Sequence, residues 1–176
     1  MSTVPPALDS LRREIDRIDD AVHDLILKRA EIVREIGRTK QVASAPMLRP
    51  AREAQLVRRL IRRHQGPMPP GVVVRLWREL ITGGSLGLQE AFSVAVLDGE
   101  KASRSRDLAR DHYGGTVPFR RCAGAGEVIA LIEAGKASVG VLPLELSEAE
   151  PWWRRLAANE SDPRHVIVKL PFLADP

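Results

Sequence analysis

Cysteine occurs once in the 176 residues, at Cys122. That excludes an internal disulfide and any metal site built on a cysteine cluster, and it leaves the cytoplasm as the default compartment. No apolar run approaches the roughly 20 residues that span a bilayer, so no membrane partner is expected. The opening residues, MSTVPPALDSLRRE, lack the charged-then-apolar layout of an export signal. Also missing are a Cys/His nucleophile pair, a metal-ligand spacing and a glycine-rich phosphate loop, so neither metal nor cofactor is expected. Aromatics make up 4% of the chain and are not gathered with basic residues into a stripe. Nucleic-acid binding would rest on charge alone.

The charge that is there is uneven. Residues 1–91 carry 16 Lys/Arg against 11 Asp/Glu, and residues 92–176 carry 11 against 12. The positive excess of the first half, interspersed with acids, suits an anionic small molecule.

The two halves also differ in period. In the first, Leu8, Leu11, Ile15, Ile18, Val22, Leu25, Ile32 and Ile36 recur in steps of three and four, one seam of a helix. This helix should start near Asp9 or Ser10 and run to about Gln41, roughly 45 to 50 Å. Such a length does not suit a compact monomer, and the pattern predicts an intertwined homodimer. A second helix is predicted from Pro50 to His64. A third begins after Pro70, with Val73, Leu76, Trp77, Leu80 and Ile81, and continues past Gly83-Gly84 to Gln89. The second half alternates strands (92–98, 116–122, 138–145, 165–172) with helices (103–113, 125–135, 149–158). That order predicts a small α/β domain with an open, largely parallel sheet. The join between a helical domain, 1–91, and this α/β domain, 92–176, falls at Glu90-Ala91.

Charged residues stand where apolar ones belong. Arg29 interrupts the seam, and a guanidinium cannot shed its proton to escape burial, so it needs an anionic partner or a wet cavity. Lys40 lies 11 positions on, which is about 20° of rotation and roughly 16 Å of rise, so the two leave one face and can grip one small molecule. Arg12 is roughly 25 Å from Arg29 and about 100° around, too far to share a ligand with Lys40 of the same chain; if it reaches the same kind of site, that site is a second subunit's. Arg52 and Glu53 extend the apolar stripe of helix 2 toward its start. Ser85 and Gln89 form an i,i+4 pair on helix 3. Singly, each has an ordinary explanation: a structural ion pair for Arg29, a solvated helix-end charge for Lys40, first-turn decoration for Arg52-Glu53. The run RRLIRRH (58–64) reads as a solvated face, and His23 and His64 as surface residues. Order and spacing together set the seven apart.

That ordered set, in LRREIDRID (11–19), LILKRAEIVREIGRTK (25–40), RPAREAQLVRRL (49–60) and SLGLQ (85–89), resembles the all-helical class of chorismate mutases. The resemblance implies rearrangement of chorismate to prephenate in phenylalanine and tyrosine biosynthesis, a pericyclic isomerisation that needs no nucleophile or general base. It implies that Arg29, Arg12 of the partner subunit, and Arg52 hold the two carboxylates, with Ser85 adding a contact. Lys40 and Gln89 would donate to the ether oxygen, and Glu53 would accept from the ring hydroxyl. There are two departures from the family pattern. Arg49 replaces a usual acidic residue, and Ser85 and Gln89 come one residue late counted from Trp77. Either Gly83-Gly84 absorbs the extra residue as a bulge, or the pair misses the site.

The segment EVIALIEAGKASVGVLPLELS (127–147) is similar to the beginning of prephenate dehydratase, with Leu146 where that family has Asn. The chain stops at Pro176, before the counterpart of a second lobe, so no dehydratase activity is expected. The α/β half is read as a partial lobe with a structural or dimer-supporting role, the sharper alternative being a ligand sensor. The competing readings of the whole are an isochorismate pyruvate-lyase on the same helical scaffold and a non-catalytic regulatory module.

Overall fold

The structure is a computed structural model that describes residues 6–43, 48–86, 92–99, 103–144, 151–157 and 165–171. Its contacts divide the chain into two compact units, residues 1–45 and 46–176. The first is one helix, α1 (Pro6–Ala43), 38 residues long and so roughly 57 Å. It starts three residues before the expected cap. Along its seam Leu11, Ile15, Ile18 and Leu25 are each more than half exposed.

The second unit opens with α2 (Pro50–Arg63) and α3 (Pro70–Ile81), each begun by a proline in its first turn, where the missing N–H is not needed. They pack on one another, and Ala54 and Val57 of α2 and Ile81 of α3 are buried. As an α-helix α3 ends at Ile81, before the two glycines. Thr82–Leu86 form a π-helical turn, a geometry that holds an extra residue per turn. Gln89 lies outside the described residues.

The α/β part contains β1 (Val94–Leu97), α4 (Ser103–Tyr113), β2 (Phe119–Cys122), α5 (Ala125–Glu133), β3 (Val139–Val141) and the short α6 (Trp153–Ala157). The three strands are parallel in the order β2-β1-β3, with Val94 opposite Phe119 and Val139. All four residues of β1 are buried, as a central strand covered on both faces requires. Phe92, Val94, Tyr113, Val117 and Val139 form one cluster, and Ala95, Cys122, Val128 and Ala137 another. Helix α5 ends in a Schellman cap: Lys136 N–H donates to Leu131 O and Gly135 N–H to Ile132 O, with Gly135 at φ +64°.

The strand expected at 165–172 is not one. Residues 165–171 pair with no strand, Val166 is 64% exposed, and residue 172 lies outside the described residues. Alternating apolar residues mark extended backbone, but they do not supply an edge to pair with, and Pro171 removes a ladder donor. Of the helix expected over 149–158, Trp153–Ala157 are helical, and residues 149, 150 and 158 lie outside the described residues, as do Glu145, Leu146 and Ser147. No helix among the described residues is long and apolar enough to cross a membrane.

Helices α2 and α3 share a unit with the α/β part because one polar face of α3 docks on the end of α4. Arg75 Nη2 pairs with Asp111 Oδ1 at 2.9 Å, and Gly115 N–H donates to Glu79 Oε1 at 2.9 Å. A Cβ at Gly83 would stand 2.7 Å from Thr116 Oγ1, so the glycine permits this close approach. Positions 75, 78, 79, 82 and 83 are one helical face by spacing. Of that face Arg78 and Thr82 are buried, while Arg75 and Glu79 stay at its exposed margin.

Candidate functional site

Arg12, Arg29 and Lys40 all lie on α1, on uninterrupted α-helix, so the rotational relation between Arg29 and Lys40 follows from the backbone. Arg12 is exposed and stands 3.8 Å from Asp9 one turn earlier, a weak surface pair. Arg29 is half-buried, and desolvation lowers its pKa; a guanidinium starts high enough to stay charged regardless. The side chain of Lys40 lies outside the described residues.

The second unit carries the rest. Arg49 is the exposed residue capping α2, and its carbonyl accepts from Glu53 N–H at 3.1 Å. This fixes Arg52 and Glu53 in the first turn. Arg52 is exposed. Glu53 turns inward, with its side chain 16% exposed, and its Oε2 accepts from Arg78 Nη1 at 3.0 Å. Ser85 belongs to the π turn, its side chain outside the described residues.

Arg78 is a residue the sequence did not single out. It sits in α3 between charged neighbours, Arg75 and Glu79, and off the apolar pattern of Leu76, Trp77 and Leu80. Yet its side chain is 3% exposed. The only sequence signal was the close spacing of Arg75, Arg78, Glu79 and Thr82 on one face, which takes meaning once residues 111–116 are known to cover it. Burial lowers the Arg78 pKa, and Glu53 acts against that as its ion-pair partner. His112 and Tyr113 of α4 complete the cluster, their rings in edge contact with centroids 4.6 Å apart. Burial, with the Arg78 cation adding to it, pushes His112 down to about 3, so the ring is neutral at physiological pH. Burial and the Glu53 carboxylate push Tyr113 up to about 12. Arg78 and His112 also line a cavity of about 160 Å³ with Val74, Leu108, Asp111, Leu170 and Pro171.

Elsewhere, Asp98 at the carboxyl end of β1 pairs with Arg106 at 3.6 Å and Arg121 at 3.5 Å. A larger cleft of about 340 Å³ runs along Ala125, Gly126, Pro151, Trp152, Arg154 and Arg155. No group of three or more His, Cys, Asp or Glu side chains among the described residues is placed to hold a metal ion. Chemically, the second unit offers one oriented carboxylate, Glu53, held from behind by a buried cation.

Comparison with known proteins relates the first half of the chain to a family. Residues 11–90 match the model of chorismate mutase type II. A bifunctional chorismate mutase/prephenate dehydratase of Aquifex aeolicus is 32% identical over 142 residues, 78% of this chain and 39% of the relative. The protein of the same description from Pseudomonas aeruginosa is 32% identical over 145 residues, 80% of this chain and 39% of its own length. An intracellular chorismate mutase of Mycobacterium tuberculosis is 35% identical over 54 residues, 31% of this chain and 51% of the relative. The chain thus spans about two fifths of the length of the bifunctional relatives. Every one of the seven charged and polar residues of the ordered set falls within the matched stretch, and residues 11–90 are a chorismate mutase type II domain.

Proposed function

We propose that the chain is a chorismate mutase, an isomerase that converts chorismate to prephenate without a cofactor. The observation that carries this reading is the family match over 11–90, which contains Arg12, Arg29, Lys40, Arg52, Glu53, Ser85 and Gln89 in order. In a pericyclic shift the protein must hold a compact conformer and stabilise negative charge growing on the breaking ether oxygen. Arg29, Arg52 and the Arg12 of a second subunit hold the two carboxylates, and Ser85 adds a contact. Lys40 and Gln89 donate to the ether oxygen, and Glu53 accepts from the ring hydroxyl. The π turn at Thr82–Leu86 supports the placing of Ser85 and Gln89, because it takes up one residue, the same number by which they come late.

Homodimerisation belongs to the same reading. A 38-residue helix with its apolar seam exposed is supported by the burial that a second copy would give it. The lone cysteine agrees with a reducing compartment, and the cytoplasm is the proposed location. The α/β part is read as a partial dehydratase-like lobe, supported by relatives whose matches cover 78–80% of the chain, more than its first 91 residues. The chain can be tested directly by following prephenate formation from chorismate. Lys40→Ala should lower kcat by about 10² to 10³ with the protein still folded, the loss seen when one donor to a developing oxyanion is removed. An inactive wild type would refute the mutase reading.

A further inference from the structure

We propose that Arg78 is a positioning residue for catalysis: it holds the Glu53 carboxylate for substrate, and the α/β part serves the site by keeping Arg78 dry. This rests on the mutase reading and extends it to a residue and a segment outside the ordered set. Glu53 is carried by the first turn of α2, where a side chain of this length has three rotatable bonds and no intrinsic reason to point one way. A single bond from Arg78 Nη1 to Oε2, at 3.0 Å, fixes it and leaves Oε1 outside that bond. The pair is one oriented acceptor with a charge behind it, suited to a neutral hydroxyl donor.

The bond is strong because it is desolvated, and the desolvation comes from residues far along the chain. His112 and Tyr113 pack at the pair, and the exposed Arg75–Asp111 and Gly115–Glu79 bonds mark where the end of α4 meets α3 on either side. The neutral His112 adds no competing cation. Were the α/β part only an appendage, a solvated arginine would serve at position 78. Its side chain is instead 3% exposed, and a cation so placed is tolerated only with a well-aligned anionic partner.

The test is a double-mutant cycle in the full chain, with kcat and KM for chorismate measured on Glu53→Gln, Arg78→Met and the double variant, and thermal unfolding recorded on each. Arg78→Met and Glu53→Gln should each lower kcat/KM by roughly 10- to 100-fold, the range of one hydrogen bond to a charged group. The double variant should fall no further than Glu53→Gln alone, because Arg78 acts only through Glu53. The double variant leaves no buried orphan charge, so it reads out even if Arg78→Met folds poorly. Arg78→Lys should restore most of kcat. Multiplicative losses in the double variant, or full activity in folded Arg78→Met, would overturn the proposal and leave the mutase reading standing. An inert wild type would overturn both.

Discussion

At the scale of single residues, the informative ones are charges in places that penalise charge. Arg29 and Glu53, both partly buried, were legible because they fall on the line of an apolar stripe, and a charge on such a line can be seen in one dimension. Arg78 was not, because it broke nothing: it stands among Arg75 and Glu79, and its burial comes from residues more than 30 positions away. His112 was invisible for the same reason. Its titration now makes a sharp expectation. The unfolded chain takes up a proton near pH 6.5, whereas the folded ring resists protonation until about pH 3. Between those values the unfolded state binds more protons, so the contribution of His112 is complete above pH 6.5 and is lost as pH falls, at up to about 1.4 kcal/mol per pH unit. Urea midpoints taken at pH 7, 6 and 5 should drop more steeply for wild type than for His112→Gln. Equal slopes would mean that the ring is protonated in the folded protein at pH 5.

Elements were most legible where proline and glycine punctuate them. Pro50 and Pro70 open α2 and α3 as expected, and Gly135 closes α5 through its cap. The pair Gly83-Gly84 marked a disturbance without specifying it, and the π turn is a form that sequence period alone does not distinguish from a bulge or a break. The expected fourth strand failed because pairing is a property of two segments and the pattern lives in one. One glycine marks how closely α5 lies on the sheet. A Cβ at Gly140 in β3 would stand 2.6 Å from Val128 Cγ1 and 2.7 Å from Ile132 Cδ1. Val128 is fully buried, stiff at χ1 and without room to move. Gly140→Ala should therefore cost about 1 to 3 kcal/mol of stability, as overpacking does. Adding Val128→Ala should recover part of it in a denaturation series; if the two losses simply add, the contact is not the cause.

For the whole molecule, sequence reading divided the chain by the period of its patterns, helical then alternating. By contacts, α1 forms one compact unit with its seam exposed, and α2 and α3 share the other with the sheet and its helices, a grouping that the period of a pattern does not record. No pattern in one chain records contacts made by another, and the proposed dimer carries a consequence that stability measurements cannot imitate. If Arg12 of one subunit completes a site whose Arg29 and Lys40 belong to the other, Arg12→Ala and Lys40→Ala chains should each be nearly inactive alone. In a dimer of one with the other, one site receives both defects. The other site receives the intact Lys40 of the first chain and the intact Arg12 of the second. Random pairing makes half the dimers mixed, each with one sound site of two, so co-refolded equal amounts should show about a quarter of wild-type activity per chain. Activity no greater than the sum of the separate variants, in a mixture shown by mass spectrometry to contain mixed dimers, would place Arg12 in its own subunit's site or in none.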